Sequence, residues 1–205
     1  MSNKNAYSTH RLLQMKFKEL DFKGEWLKAI GKPEIRGSWI IWGASTNGKT
    51  RFAMQLAKYL ARFGKVVYNS LEEGASKTIQ MAVKNVNMLE IGVNFNLLDM
   101  ESIADLKARL KRDRKIKFII IDSLQYSGLN YQEYKDLKAE FPNKLFVFVS
   151  HAEGKEPTGA TAKAMRFDAF VKIWVEGFKA FAQSRYGGGE PYTIWQEGAK
   201  KYWVE

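Results

Sequence analysis

The sequence predicts an α/β protein with a mainly parallel sheet flanked by helices and an antiparallel extension at its C-terminal end. Three observations carry that expectation. Residues Gly43 to Thr50, GASTNGKT, fit the phosphate-binding pattern GxxxxGK[ST] at every fixed position, and such a loop joins a strand to a helix. Apolar runs without alternation, of which Phe118 to Ile121 is the clearest, take turns with segments of helical period, the pattern of a parallel sheet covered on both faces. From Asp168 onward, AFVKIWVEG, FKAFAQSRYGGG, PYTIWQEG and AKKYWVE read instead as meander strands set off by glycine turns.

In chain order, residues 1–35 show no clean period. They carry Phe17, Leu20, Phe22, Trp26, Leu27 and Ile30, too many apolar side chains for a solvated tail, so an arm packed on a main domain over 36–205 is expected. Trp39 to Trp42 is the strand before the loop, and Phe52, Ala53, Leu56, Ala57 and Leu60 share one face of the helix after it. Gly64 ends that helix and Lys65 to Asn69 is a short buried strand. Ser70 to Gly74, SLEEG, is the turn at its end. A helix over 75–88 offers Ile79, Met81, Ala82, Val83 and Val86 for burial, and a short strand over 94–99 follows.

The next helix, over 101–114, turns Ile103, Leu106 and Leu110 inward. Lys107, Arg109, Lys111, Arg112, Arg114 and Lys115 must then lie on its outer faces, and a solvated face is the plainer reading of that run than a DNA contact. Phe118 to Ser123 is a strand ending in a carboxylate. Tyr131 to Phe141 is a helix closed by Pro142, and Lys144 to Ser150 is the strand beyond it.

A chain of 205 residues with 45% apolar and 14% aromatic side chains suits one well-buried domain. No apolar run approaches the roughly 20 residues that span a bilayer, and the N-terminal stretch lacks the apolar core and small-residue cleavage site of a leader. No membrane partner and a cytoplasmic location are therefore expected. The absence of cysteine excludes disulfides, thiolate metal sites and cysteine nucleophiles. Thirty-three basic against 22 acidic residues give a net charge of +11, which favours a polyanionic partner, nucleic acid first.

The loop pattern implies nucleotide phosphates. Its glycines, Gly43 and Gly48, let the backbone bend so that N–H groups along Ala44, Ser45, Thr46 and Asn47 point inward. The helix start at Lys49, Thr50 and Arg51 adds partial positive charge. Lys49 is placed to reach the β- and γ-phosphates and Thr50 to ligate Mg²⁺. Asp122, at the end of its isoleucine strand, is placed to hold the Mg²⁺ shell. Glu72 and Glu73 follow the next strand, at the end where open α/β sheets put their ligands, and either can orient an attacking water or accept its proton. His151 ends the KLFVFVS strand at the same rim, and Arg185 precedes a glycine turn. Spacing alone makes these two ordinary surface residues.

The order of these parts resembles the RecA-like P-loop ATPases, especially the group of KaiC-type ATPases, RadA-type repair proteins and the ATPase domain of bacterial replicative helicases of the DnaB type. The likeness runs from about Gly37 to Gly188. SLEEG is similar to the family's catalytic-glutamate segment and IIIDSLQ to its Walker B segment. VSHAEG resembles the switch strand, which lies between the P-loop and Walker B strands and senses the γ-phosphate. QSRYGG resembles the segment whose Lys-x-Arg finger reaches the neighbouring subunit's nucleotide.

That resemblance implies a sensor role for His151 and a trans-acting role for Arg185. Two positions depart from it: Gln183 stands where the finger has lysine, and His151 where glutamine is commoner. The family's DNA-contacting loops correspond to 125–130 and 152–167, the second offering Lys155, Lys163 and Arg166 to a mobile, backbone-gripping loop. The implied protein is a homo-oligomer, a hexameric ring or filament, that hydrolyses ATP with Mg²⁺ at subunit interfaces. It would act on nucleic acid, single-stranded DNA above all, in recombination, repair or replication. With no room for a collar domain, a self-sufficient replicative helicase is not expected. The rivals are a KaiC-like assembly or regulatory ATPase and a small-molecule P-loop kinase, though the acceptor lid with clustered arginines that a kinase would need is not found.

Overall fold

The computed structural model describes residues 6–203. Its strands are β1 (Gly37–Gly43), β2 (Lys65–Ser70), β3 (Phe95–Asp99), β4 (Ile116–Asp122), β5 (Leu145–Glu153), β6 (Glu156–Pro157), β7 (Val171–Glu176), β8 (Lys179–Ser184) and β9 (Tyr192–Thr193). Its helices are α1 (Thr9–Gln14), α2 (Gly24–Ile30), α3 (Lys49–Leu60), α4 (Lys77–Asn85), α5 (Ile103–Arg112), α6 (Tyr131–Glu140), α7 (Ala160–Asp168) and α8 (Gln196–Trp203). One nine-stranded sheet runs β3-β2-β4-β5-β1-β7-β8-β9, with β6 paired to β5. Strands β3 to β7 of that order are parallel and the β7-β8-β9 end is antiparallel. The predicted sheet class is the one formed.

Because alternate strand residues face opposite sides, the continuous apolar runs divide between two cores. Trp39, Ile41, Tyr68, Ile120 and Val147 face the layer of α2 and α3, while Ile40, Val67, Ile119 and Phe148 face α5, α6 and α7. Within the first 35 residues, Phe22 is fully buried, with ring centroids 5.0 Å from Tyr59, 5.7 Å from Phe63 and 6.3 Å from Trp39. Burying such a ring stabilises by about 1.5–3 kcal/mol. Helix α1, in contrast, buries none of its residues.

Four local expectations are corrected. Helix α4 stops at Asn85, and Met81, offered for burial, is 52% exposed because only the side carrying Ile79 meets the core. Strand β7 lies parallel to β1 before the chain turns antiparallel through the two-residue turn Gly177-Phe178, both at positive φ. The last predicted strand, AKKYWVE, is instead part of α8 over its described residues: the short alternation is a weak local preference, and the helix buries Gly198 and Ala199. The segment expected as a loop over 152–167 is instead a hairpin, β5-β6, followed by α7. Of the basic run on α5, Arg109 pairs with Glu101, while Lys107 and Lys111 both pair with Glu140, as a solvated face does.

Candidate active site

The C-terminal ends of β1, β2, β4 and β5 converge on a cavity of about 570 Å³. Strand β1 delivers the loop. Gly43 is required there because a Cβ would lie 2.2 Å from the Val175 carbonyl oxygen, and Gly48 is required by its φ of 98°. Asn47 locks the loop to the β7-β8 turn: its Oδ1 accepts from Gly177 N–H at 2.7 Å and its carbonyl from Phe178 N–H at 3.3 Å. Helix α3 then opens at Lys49 with no side-chain cap and no acid in its first turn, so its free N–H groups and dipole are unspent at the cavity.

Lys49 Nζ donates 2.8 Å to the Ala44 carbonyl, bracing the loop from within. Burial lowers its pKa, against the pull of Asp122 and Glu72. Asp122 arrives on β4 between β2 and β5 and accepts a hydrogen bond from the buried Tyr68 hydroxyl. Burial pushes its carboxyl up to about 6, with Tyr68 and Lys49 opposing and Glu72 adding. A carboxylate on the cavity wall, near one ammonium and one phenol, suits a site that completes itself with a cation.

The two glutamates separate in space. The turn after β2 is tied to β4, since Leu71 N–H donates 2.6 Å to the Asp122 carbonyl. This sets Glu72 opposite β5, where His151 Nε2 lies 2.8 Å from Glu72 Oε2 and 3.4 Å from Ser123 Oγ. Glu73 turns the other way and accepts hydrogen bonds from Thr78 and Ser76 at the start of α4. Lys49, Thr50, Arg51, Glu72, Glu73, Asp122 and His151 all line the one cavity, with Ser45, Thr46 and Gly48.

Sequence reasoning missed Tyr68, and it gave Gln125 only as the start of a DNA-contacting loop. Gln125 accepts from His151 N–H at 3.2 Å and donates to Ser150 Oγ at 2.8 Å and the Thr158 carbonyl at 3.1 Å, fixing the β5 end. Neither carries a local signal, because each acts across strands. Arg51, beyond the loop, has its guanidinium 5.4 Å from the Trp195 ring.

Arg185 is not at this cavity. Its N–H donates to the Phe170 carbonyl, and Phe170 N–H to that of Ser38, so it stands level with the start of β1. Gly43 is five residues farther along that strand, about 17 Å away and beyond the reach of an arginine side chain. Lys155, Lys163 and Arg166 lie on the hairpin and α7. Arg166 pairs with Glu156 and sits 5.1 Å over Trp42, Lys155 sits 5.5 Å over Trp174, and Lys163 is exposed.

No protein-family model matches the chain, and no curated protein matches it in sequence. Solved structures do. The flagellar accessory protein FlaH from Methanocaldococcus jannaschii aligns with a TM-score of 0.61 at 18% identity, over 85% of this chain and 92% of that one. A second solved structure, of an ATPase domain, aligns with a TM-score of 0.54 at 17% identity, over 77% of this chain and 80% of that one. The chain has the fold of the RecA-like P-loop ATPases.

Proposed function

We propose that this protein binds ATP with Mg²⁺ and hydrolyses it to ADP and phosphate. The observation that carries the reading is the meeting of Lys49, Thr50, Asp122, Glu72 and His151 in one cavity at the open start of α3. Lys49 and the loop N–H groups hold the phosphates. Thr50 and Asp122 would hold the Mg²⁺, which supplies charge neutralisation at the phosphates when bound. Glu72, on the His151 side and free of the α4 start that engages Glu73, accepts the proton of the attacking water. His151 orients that carboxylate.

Since Arg185 cannot reach its own chain's loop, a role in turnover requires an adjacent protomer, and we assign it there, in a homo-oligomer. The net charge of +11 and the basic side chains on the continuation of β5 support nucleic acid, single-stranded DNA in particular, as the partner. One observation favours a second reading, a nucleotide-gated assembly ATPase that does not track along DNA: Arg166 is already ion-paired and lies on a helix, not on a free loop. The deciding experiment is ATPase rate with and without oligo-dT, beside a mass measurement with nucleotide. Hydrolysis stimulated severalfold by DNA supports the motor, and hydrolysis indifferent to DNA supports the second reading. No turnover of Mg·ATP overturns both.

A further inference from the structure

We propose that the opposite end of the sheet from the nucleotide cavity carries a separate binding track for single-stranded nucleic acid. Two grooves of about 520 and 380 Å³ meet there, sharing Lys117 and Asn143. Among the described residues that line them, seven are cationic and two are carboxylates, Glu34 and Glu140. Both carboxylates are already in ion pairs, with Arg36 and with Lys107 and Lys111. Lys16, Lys18 and Lys117 are exposed and form no ion pair among the described residues.

Helix ends explain part of this charge. Helices α5 and α6 finish here, and cations at their carbonyl ends are favourable. That accounts for Lys111. It does not account for Lys16 and Lys18, which come from the N-terminal arm, for Arg36 just before β1, or for Lys117 on β4. Lys144, whose Nζ donates to the Ile116 carbonyl at 2.5 Å, has its pKa lowered by burial and then by Lys117, with Asp113 opposing. Like charges are thus held together with no free carboxylate between them, an arrangement that an anion relieves.

Shape and one aromatic ring choose the anion. The charges follow a concave groove, which suits a phosphodiester chain better than a membrane plane. Phe17, 44% exposed, lines the groove with Arg36 5.9 Å from its ring. Lysines interleaved with an exposed ring are what unpaired bases and their backbone require together. The inference does not rest on ATP hydrolysis, since the track is at the far end of the strands from Lys49.

The test is fluorescence anisotropy of labelled oligo-dT of roughly 20 nucleotides over a salt series. It compares the full chain with a K16Q/K18Q/K117Q variant and a K155Q/K163Q/R166Q variant, with circular dichroism on each. The groove variant is expected to bind about tenfold or more weakly and to lose about 2 from the slope of log K against log salt, at unchanged basal ATPase. Phe17→Ala is expected to weaken binding about tenfold with the slope unchanged. If the groove variant binds like the parent while the variant on the hairpin and α7 does not, the track is wrong and the contact proposed for the active-site rim stands. Binding unaltered in both variants, or absent in the parent, overturns the track and the rim contact alike. A groove variant impaired on phosphatidylserine vesicles and unimpaired on oligo-dT also overturns it.

Discussion

The two ends of this sheet carry positive charge in opposite ways. At the C-terminal ends of the strands, Lys49 and Arg51 face Glu72, Glu73 and Asp122 across a single cavity, so charge is local and nearly balanced. At the N-terminal ends, cations outnumber carboxylates and the carboxylates are already paired. The balanced end is built for charge that must develop and dissipate at defined atoms, whereas the unbalanced end offers an extended field with no single focus. Much of the excess that makes the chain basic is therefore away from the site suggested by its most specific motif.

Lys49→Ala gives the sharpest separation of the two ends. It removes the only side-chain ammonium that lines the nucleotide cavity among the described residues, and ATP turnover should fall by about a hundredfold or more. Oligo-dT binding without nucleotide should not change. Steady-state phosphate release beside anisotropy measures both, and a loss of DNA binding in this variant would mean that the two ends are not independent.

Within the balanced end, Glu72→Gln should slow hydrolysis by about a hundredfold with nucleotide affinity kept. Glu73→Gln should cost only a few-fold, because its carboxylate serves Thr78 and Ser76. Equal losses in the two variants would return the assignment to the pair. Arg185→Ala should lower the turnover of the assembled protein, and mixing it with Lys49→Ala subunits should restore part of the activity. Failure of mixed assemblies to recover any would remove Arg185 from the mechanism.

The smallest effect concerns stability. A carboxyl pushed up to about 6 is unfavourable as an anion at neutral pH, so Asp122→Asn should raise the unliganded protein's stability by roughly 1 kcal/mol in urea while abolishing Mg²⁺-dependent turnover. Lower stability in the variant would show that the Tyr68 contact outweighs the desolvation.

The sequence determined the sheet class, the glycine-spaced loop and its helix, and the strand-end placement of Asp122. These follow from local facts: a fixed glycine spacing, runs apolar at every position, and helical period in Phe52, Leu56 and Leu60. Tertiary structure alone decided what depends on neighbours distant in the chain. Glu72 is distinguished from Glu73 by β5, 79 residues beyond it, and Tyr68 meets Asp122 only because β2 pairs with β4. The basic track exists because the arm at Lys16 and Lys18, the start of β4 and the end of α6 come to one edge. Short alternations such as AKKYWVE stayed ambiguous for the same reason: their local preference is a few tenths of a kcal/mol per residue, which burial of Ala199 and Gly198 against the rest of the molecule outweighs.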